Sequence, residues 1–110
     1  SDTIGVASPG SIAYLFGNLI GQYPGLEIGA HFHTLPHQWE EKVAAAYAHG
    51  CRRFDGAIKG YGGCPMAKDD LTGNMPTERL LAFFKEKAEP LLLDEAAFHS
   101  ALEMASEVFL

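Results

Sequence analysis

The sequence predicts an α/β fold, in which short strands alternate with helices around a parallel sheet. Three observations lead there. Apolar residues recur at helical spacing in four separate stretches. Between the first three of these lie two shorter stretches with strand character. Glycine, proline and capping residues mark most of the junctions, and the resulting order is the one expected of βα units.

Asp2-Thr3-Ile4-Gly5-Val6 reads as the exit of a strand. Ser8 then stands before Pro9, an N-cap followed by the residue best suited to a first helical position. Ile12, Leu15, Phe16, Leu19 and Ile20 make one apolar stripe, and Gly21 and Pro24 stop the helix. Residues 26–33 form a strand with Ile28, Ala30 and Phe32 on one face and Gly29, His31 and His33 on the other. A second helix is expected over residues 38–49, burying Trp39, Val43, Ala46 and Tyr47, with Gly50 as its stop. A second strand covers about 53–58, and residues 59–75 make a long glycine-punctuated loop of the kind usually kept for function. Pro76 opens a third helix carrying Leu80, Leu81 and Phe84. Asp94 caps a fourth, with Phe98, Leu102 and Ala105 on one face.

Two strands and a strand stump cannot close a sheet. A (β/α)8 TIM barrel takes about 250 residues. The 110 residues here are therefore expected to be C-terminal βα units of an incomplete barrel. Residues 1–87 would form the last barrel units and 88–110 an additional C-terminal helix. Such a piece exposes strand edges and apolar helix faces. Its expected partners are a second copy of itself or the N-terminal barrel segment.

Composition narrows the function. Hydrophobic residues make up 47% and charged residues 20%, values of a globular chain. A net charge of −6 argues against a nucleic-acid partner. Arg52, Arg53, Lys59 and Lys68 gather locally, which suits a small anionic ligand and equally a solvated surface. Residues 3–26 carry no charge, yet Pro9, Asn18, Gln22, Pro24 and five glycines interrupt them, so no membrane span is expected. Two cysteines give no disulfide framework and the first residues have no basic signal region, so a cytoplasmic location is expected.

His31-Phe32-His33 is the first candidate for chemistry. Period-two alternation puts both imidazoles on one side of a strand at its C-terminal end, where two neutral rings can share a divalent ion. The plainer alternative is two locally hydrogen-bonded histidines. Cys64, in Gly60-Tyr61-Gly62-Gly63-Cys64-Pro65, is an accessible thiol on a pliable loop or an inert small residue in a turn. The glycines do not make a phosphate loop, because Gly-Lys-Ser/Thr is lacking. Asn74 after Gly73 is a good N-cap candidate, and capping alone would explain it. Asp2 and Thr3 offer a carboxylate and a hydroxyl at a strand exit, with a turn role as the default. Glu78 would lie in a first helical turn and favour the macrodipole.

Taken together, Asp2-Thr3-Ile4-Gly5-Val6, His31-Phe32-His33, Gly60-Tyr61-Gly62-Gly63-Cys64-Pro65 and Thr72-Gly73-Asn74 with Thr77-Glu78 closely resemble the 3-hydroxy-3-methylglutaryl-coenzyme A lyases. These are metal-dependent carbon–carbon lyases on a TIM barrel. The resemblance spans residues 2–84, and the Gly-Gly-Cys-Pro loop is its most discriminating part. It implies His31, His33 and Asn74 as ligands of a divalent metal, Mg²⁺ or Mn²⁺ above others. It also implies Cys64 as the catalytic thiol, Asp2 and Glu78 as catalytic acidic residues, and Thr3 on the substrate side. The implied reaction is cleavage of 3-hydroxy-3-methylglutaryl-CoA to acetyl-CoA and acetoacetate, a step of leucine degradation. Thr34 departs from the aspartate the family commonly places after the histidine pair. A further metal ligand and an arginine would come from a first barrel strand, so the isolated 110 residues are expected to be inactive.

Three other readings compete. One is another acyl-CoA lyase or synthase of the same superfamily. Another is a non-catalytic fragment that oligomerises through open edges. The last is a zinc module held by His31, His33, His37 and Cys64.

Overall fold

The computed structural model describes residues 1–62 and 72–109. Helix α1 spans Pro9–Gln22 and begins as its sequence dictates. The Ser8 side chain accepts the Ser11 amide while the Ser11 hydroxyl accepts the Ser8 amide, a reciprocal cap ahead of Pro9. Helix α2 spans Trp39–Ala48, α3 Thr77–Glu86 and α4 Glu95–Val108. Asp94 caps α4 by accepting the Ala97 amide at 3.0 Å. No described helix is long and apolar enough to cross a membrane.

The strands are shorter than the sequence suggests. The expected strand over 26–33 resolves into β1, Gly29–Ala30, and β2, His33–Thr34, while Leu26 lies in an exposed turn. The second becomes β3, Arg53–Phe54, followed by a bridge at Ala57 and a single 3₁₀ turn, Ile58–Gly60. A further strand, β4, covers Gly73–Asn74 inside the region read as loop.

The pairings are parallel at the centre. Gly29 and Ala30 pair with Arg53 and Phe54, and single parallel bridges join Asp2 to Phe32 and Ala57 to Pro76. The opening residues are thus a strand end beside the histidine strand, as read. One pairing breaks the pattern: β2 and β4 run antiparallel, with His33 opposite Asn74 and Thr34 opposite Gly73.

Helices cover the sheet with one apolar cluster. Ile12 and Phe16 of α1, Val43 and Ala46 of α2, and Leu80 and Phe83 of α3 meet Ala30, Phe32, Cys51 and Met75. Phe16 packs edge-on to Phe32, with ring centroids 6.3 Å apart. Of the stripe read on α1, Ile12 and Phe16 are buried, whereas Leu15 is 53% and Leu19 39% exposed. Tyr14, also on α1, is exposed as well. The helix is apolar over a wider arc than this part of the fold covers.

Candidate active site

The site forms where the parallel strands end. Asp2 holds a bridge position at that end, His31, His33 and Asp55 each follow a strand or bridge position there, and the Asp55 amide donates to the Ala30 carbonyl at 2.9 Å. The two imidazoles expected on one face do meet: their ring centroids are 5.3 Å apart.

Each imidazole has one nitrogen committed. His33 is buried, and its Nδ1 lies 3.0 Å from the carbonyl oxygen of Asp2. A carbonyl only accepts, so Nδ1 carries the proton and Nε2 of the neutral ring keeps its lone pair. His31 is half exposed, and its Nδ1 lies 3.1 Å from the Asp55 carboxylate. The same reasoning frees its Nε2. Oxygen acceptors behind both rings are the arrangement that orients metal-binding histidines.

Asn74 joins them through strand register. Directly opposed residues of an antiparallel pair put their side chains on one face, and Asn74 is the register partner of His33. Its side-chain amide nitrogen donates to the Tyr61 carbonyl at 2.8 Å, and among the described residues no donor meets its amide oxygen. The capping explanation for Asn74 is overturned: Pro76 occupies the cap position of α3, and Asn74 is a strand residue.

Glycines let the chain come close enough for this. Gly60 has φ +69°, and a Cβ there would lie 2.8 Å from the Asn74 carbonyl oxygen. A Cβ on Gly73 would lie 2.6 Å from the Gly60 carbonyl oxygen.

Asp2 is in the site but its carboxylate faces inward. Oδ1 accepts the Val6 and Ala7 amides at 2.9 and 3.1 Å, and Oδ2 is paired with the Lys42 ammonium at 2.8 Å. Thr3 is exposed beside it. Glu78 lies in the first turn of α3, where its carboxylate accepts the Lys59 amide at 2.9 Å. It thereby holds Lys59 in a left-handed conformation with φ 57°. Thr34 is buried and its hydroxyl donates to the Leu35 carbonyl at 2.8 Å. Cys64 lies outside the described residues.

A cleft of about 500 Å³ opens beside Asn74, lined by Thr34, Trp39, Lys59, Glu78 and Arg79 among others. Among the described residues, no group of three or more His, Cys, Asp or Glu side chains is placed to hold a metal ion. Two imidazole nitrogens and an amide oxygen nevertheless fit a divalent cation as a partial set of donors.

Sequence reasoning missed two residues. Lys42 lies three residues after Trp39 and four before Ala46, so helical spacing alone put it on the buried face. Asp55 follows a strand that pairs in parallel with the histidine segment, which set it at the same sheet end.

No family model matches the chain. It is 40% identical over 80 residues to the hydroxymethylglutaryl-CoA lyase of Pseudomonas mevalonii, covering 73% of this chain and 26% of that protein. It is 31% identical over 106 residues to the (R)-citramalyl-CoA lyase of Chloroflexus aurantiacus, covering 96% of this chain and 33% of that one. Among solved structures, an HMG-CoA lyase from Acinetobacter baumannii in complex with coenzyme A and 3-methylmalate superposes with TM-score 0.80 at 31% identity, over 96% of this chain and 34% of that one. The Bacillus subtilis HMG-CoA lyase superposes with TM-score 0.83 at 28% identity, over 96% of this chain and 35% of that one. The chain thus spans about a quarter to a third of the length of these proteins. In sequence and in α/β fold, it is homologous to a portion of the hydroxymethylglutaryl-CoA lyases.

Proposed function

We propose that this chain supplies part of the active site of a divalent-metal-dependent lyase that splits 3-hydroxy-3-methylglutaryl-CoA into acetyl-CoA and acetoacetate. What supports the reading is that the His31 and His33 rings lie side by side and Asn74 stands opposite His33 in strand register, each with its other polar atom held by an oxygen. Bound there, Mg²⁺ or Mn²⁺ would polarise the substrate's hydroxyl and carboxylate oxygens.

The reaction removes the hydroxyl proton, breaks the adjacent carbon–carbon bond, and returns a proton to the carbon of the acetyl-CoA enolate. Cys64, by its match to the family's thiol, is assigned the second proton transfer, directly or by positioning another group. Asp2, with both oxygens engaged, serves as the anchor of the His33 strand, and its need for activity is positional. Glu78 acts likewise on the backbone at Lys59. The cleft beside Asn74 has room for part of an acyl-CoA, and Lys59 and Arg79 on its wall suit an anionic ligand. The exposed apolar side chains of α1 support a segment that works inside a larger barrel.

A second reading, cleavage of a different 3-hydroxyacyl-CoA, is favoured by the (R)-citramalyl-CoA lyase match, which runs over 96% of the chain. Full-length protein should be incubated with Mn²⁺ and either 3-hydroxy-3-methylglutaryl-CoA or citramalyl-CoA, and the products identified by mass spectrometry. Acetoacetate from the first supports the main reading, and cleavage of the second alone supports the alternative. Turnover of neither overturns both.

A further inference from the structure

Lys42 is 2% exposed on the inner face of α2. Burying an ammonium is costly unless its donors are met. All three are met, by Asp2 Oδ2 at 2.8 Å, the His33 carbonyl at 2.9 Å and the Gly5 carbonyl at 3.2 Å. Its neighbours on that face are Val43 and Ala46, so packing alone would be served by an aliphatic residue. The charge instead ties together three points: the Asp2 carboxylate at the strand exit, the Gly5 carbonyl in the turn after it, and the His33 carbonyl.

Two of those points bear on one imidazole. The lysine holds His33 directly through its carbonyl, and holds Asp2 through its carboxylate. The Asp2 carbonyl is in turn the acceptor for His33 Nδ1. His31 draws on a different acceptor, the half-exposed Asp55, which has no contact with Lys42 in this network.

We propose that Lys42 is a positioning residue that holds His33 in the tautomer with its proton on Nδ1, so that Nε2 is presented to a metal. The proposal rests on the functional reading above for the purpose of that tautomer, though not for its existence. Without Lys42 the Asp2 carboxylate is left buried and unpaired, the strand exit shifts, and the acceptor behind His33 is lost. His31 should not respond.

The test is two-bond ¹H–¹⁵N correlation of the histidine rings in the full chain, at a pH where imidazole is neutral. Wild type and Lys42→Met are compared, with folding checked by circular dichroism. In the wild type both rings should show a protonated Nδ1. In Lys42→Met the His33 pattern should move toward a protonated Nε2 while His31 stays unchanged, and Mn²⁺ affinity should fall about tenfold. If Lys42→Met does not fold, Lys42→Gln, which keeps a donor but no charge, is read in the same way. The proposal is overturned if wild-type His33 carries its proton on Nε2, if His33 is unmoved in a folded variant, or if both rings shift together. A protein that binds no Mn²⁺ and cleaves no acyl-CoA would refute the functional reading and leave the tautomer comparison standing.

Discussion

The Asp55 carboxylate lies 3.1 Å from Nδ1 of His31, behind the ring and away from the nitrogen that would meet a ligand. Replacing it by asparagine removes the charge that makes His31 a stronger donor, and permits the amide to turn its NH₂ toward the ring. Asp55→Asn should weaken Mn²⁺ binding by about tenfold with little loss of stability, since both side chains are half exposed. Calorimetric titration with Mn²⁺ beside thermal unfolding measures both.

Removing a ligand and removing the thiol should have different consequences. His33→Ala and Asn74→Ala are expected to lose most of the metal affinity, and turnover with it. Cys64→Ser should keep the metal and lose about 100-fold or more in turnover, the scale of a lost proton-transfer group. In a zinc module the cysteine variant would lose the metal instead. Metal content by mass spectrometry, set beside the rate, separates the two.

Two glycine-to-alanine changes should differ in sign. At Gly73 a Cβ would meet the Gly60 carbonyl oxygen at 2.6 Å, a backbone atom that cannot swing aside. Gly73→Ala should destabilise by about 1–3 kcal/mol. Gly21, near the end of α1, has nothing within 4 Å of that position. Gly21→Ala should stabilise by about 0.5–1 kcal/mol. Thermal denaturation of each single variant reports the difference.

Cys51 is fully buried, and burial pushes its thiol above the ordinary range. It should stay unlabelled by iodoacetamide in the native protein and react on denaturation, as read by mass spectrometry. The pH dependence follows the same sign. Below the ordinary cysteine pKa of about 8.5 both folded and unfolded chains hold the proton and the contribution is constant. Above it the unfolded chain ionises first, so stability falls as pH rises, and Cys51→Ala should flatten that fall.

Helices and their caps were legible because their signals are local. Ser8 with Pro9 and Asp94 with the stripe after it act on neighbouring amides, and α2 lies within a residue of the expected bounds at each end. The strands were less so, because bridges such as Asp2 to Phe32 depend on partners 30 residues away in sequence. The antiparallel return of β4 had no local mark at all. The side-by-side imidazoles followed from alternation alone. The groups behind them did not: Asp55 and Lys42 act through distant contacts, and the helical spacing that sets Lys42 on the buried face does not say which groups it meets there.

The Asn74 amide donates to the Gly62 carbonyl at 3.0 Å, so the chain leaves and returns at almost one point. Between those two residues the sequence runs through residues 63–71, Cys64 among them, which lie outside the described residues. Loop-closure entropy rises only slowly with length. Changes in the length or sequence between Gly62 and Thr72 should therefore carry a small thermodynamic penalty, while the pairing of β2 with β4 keeps His33 opposite Asn74.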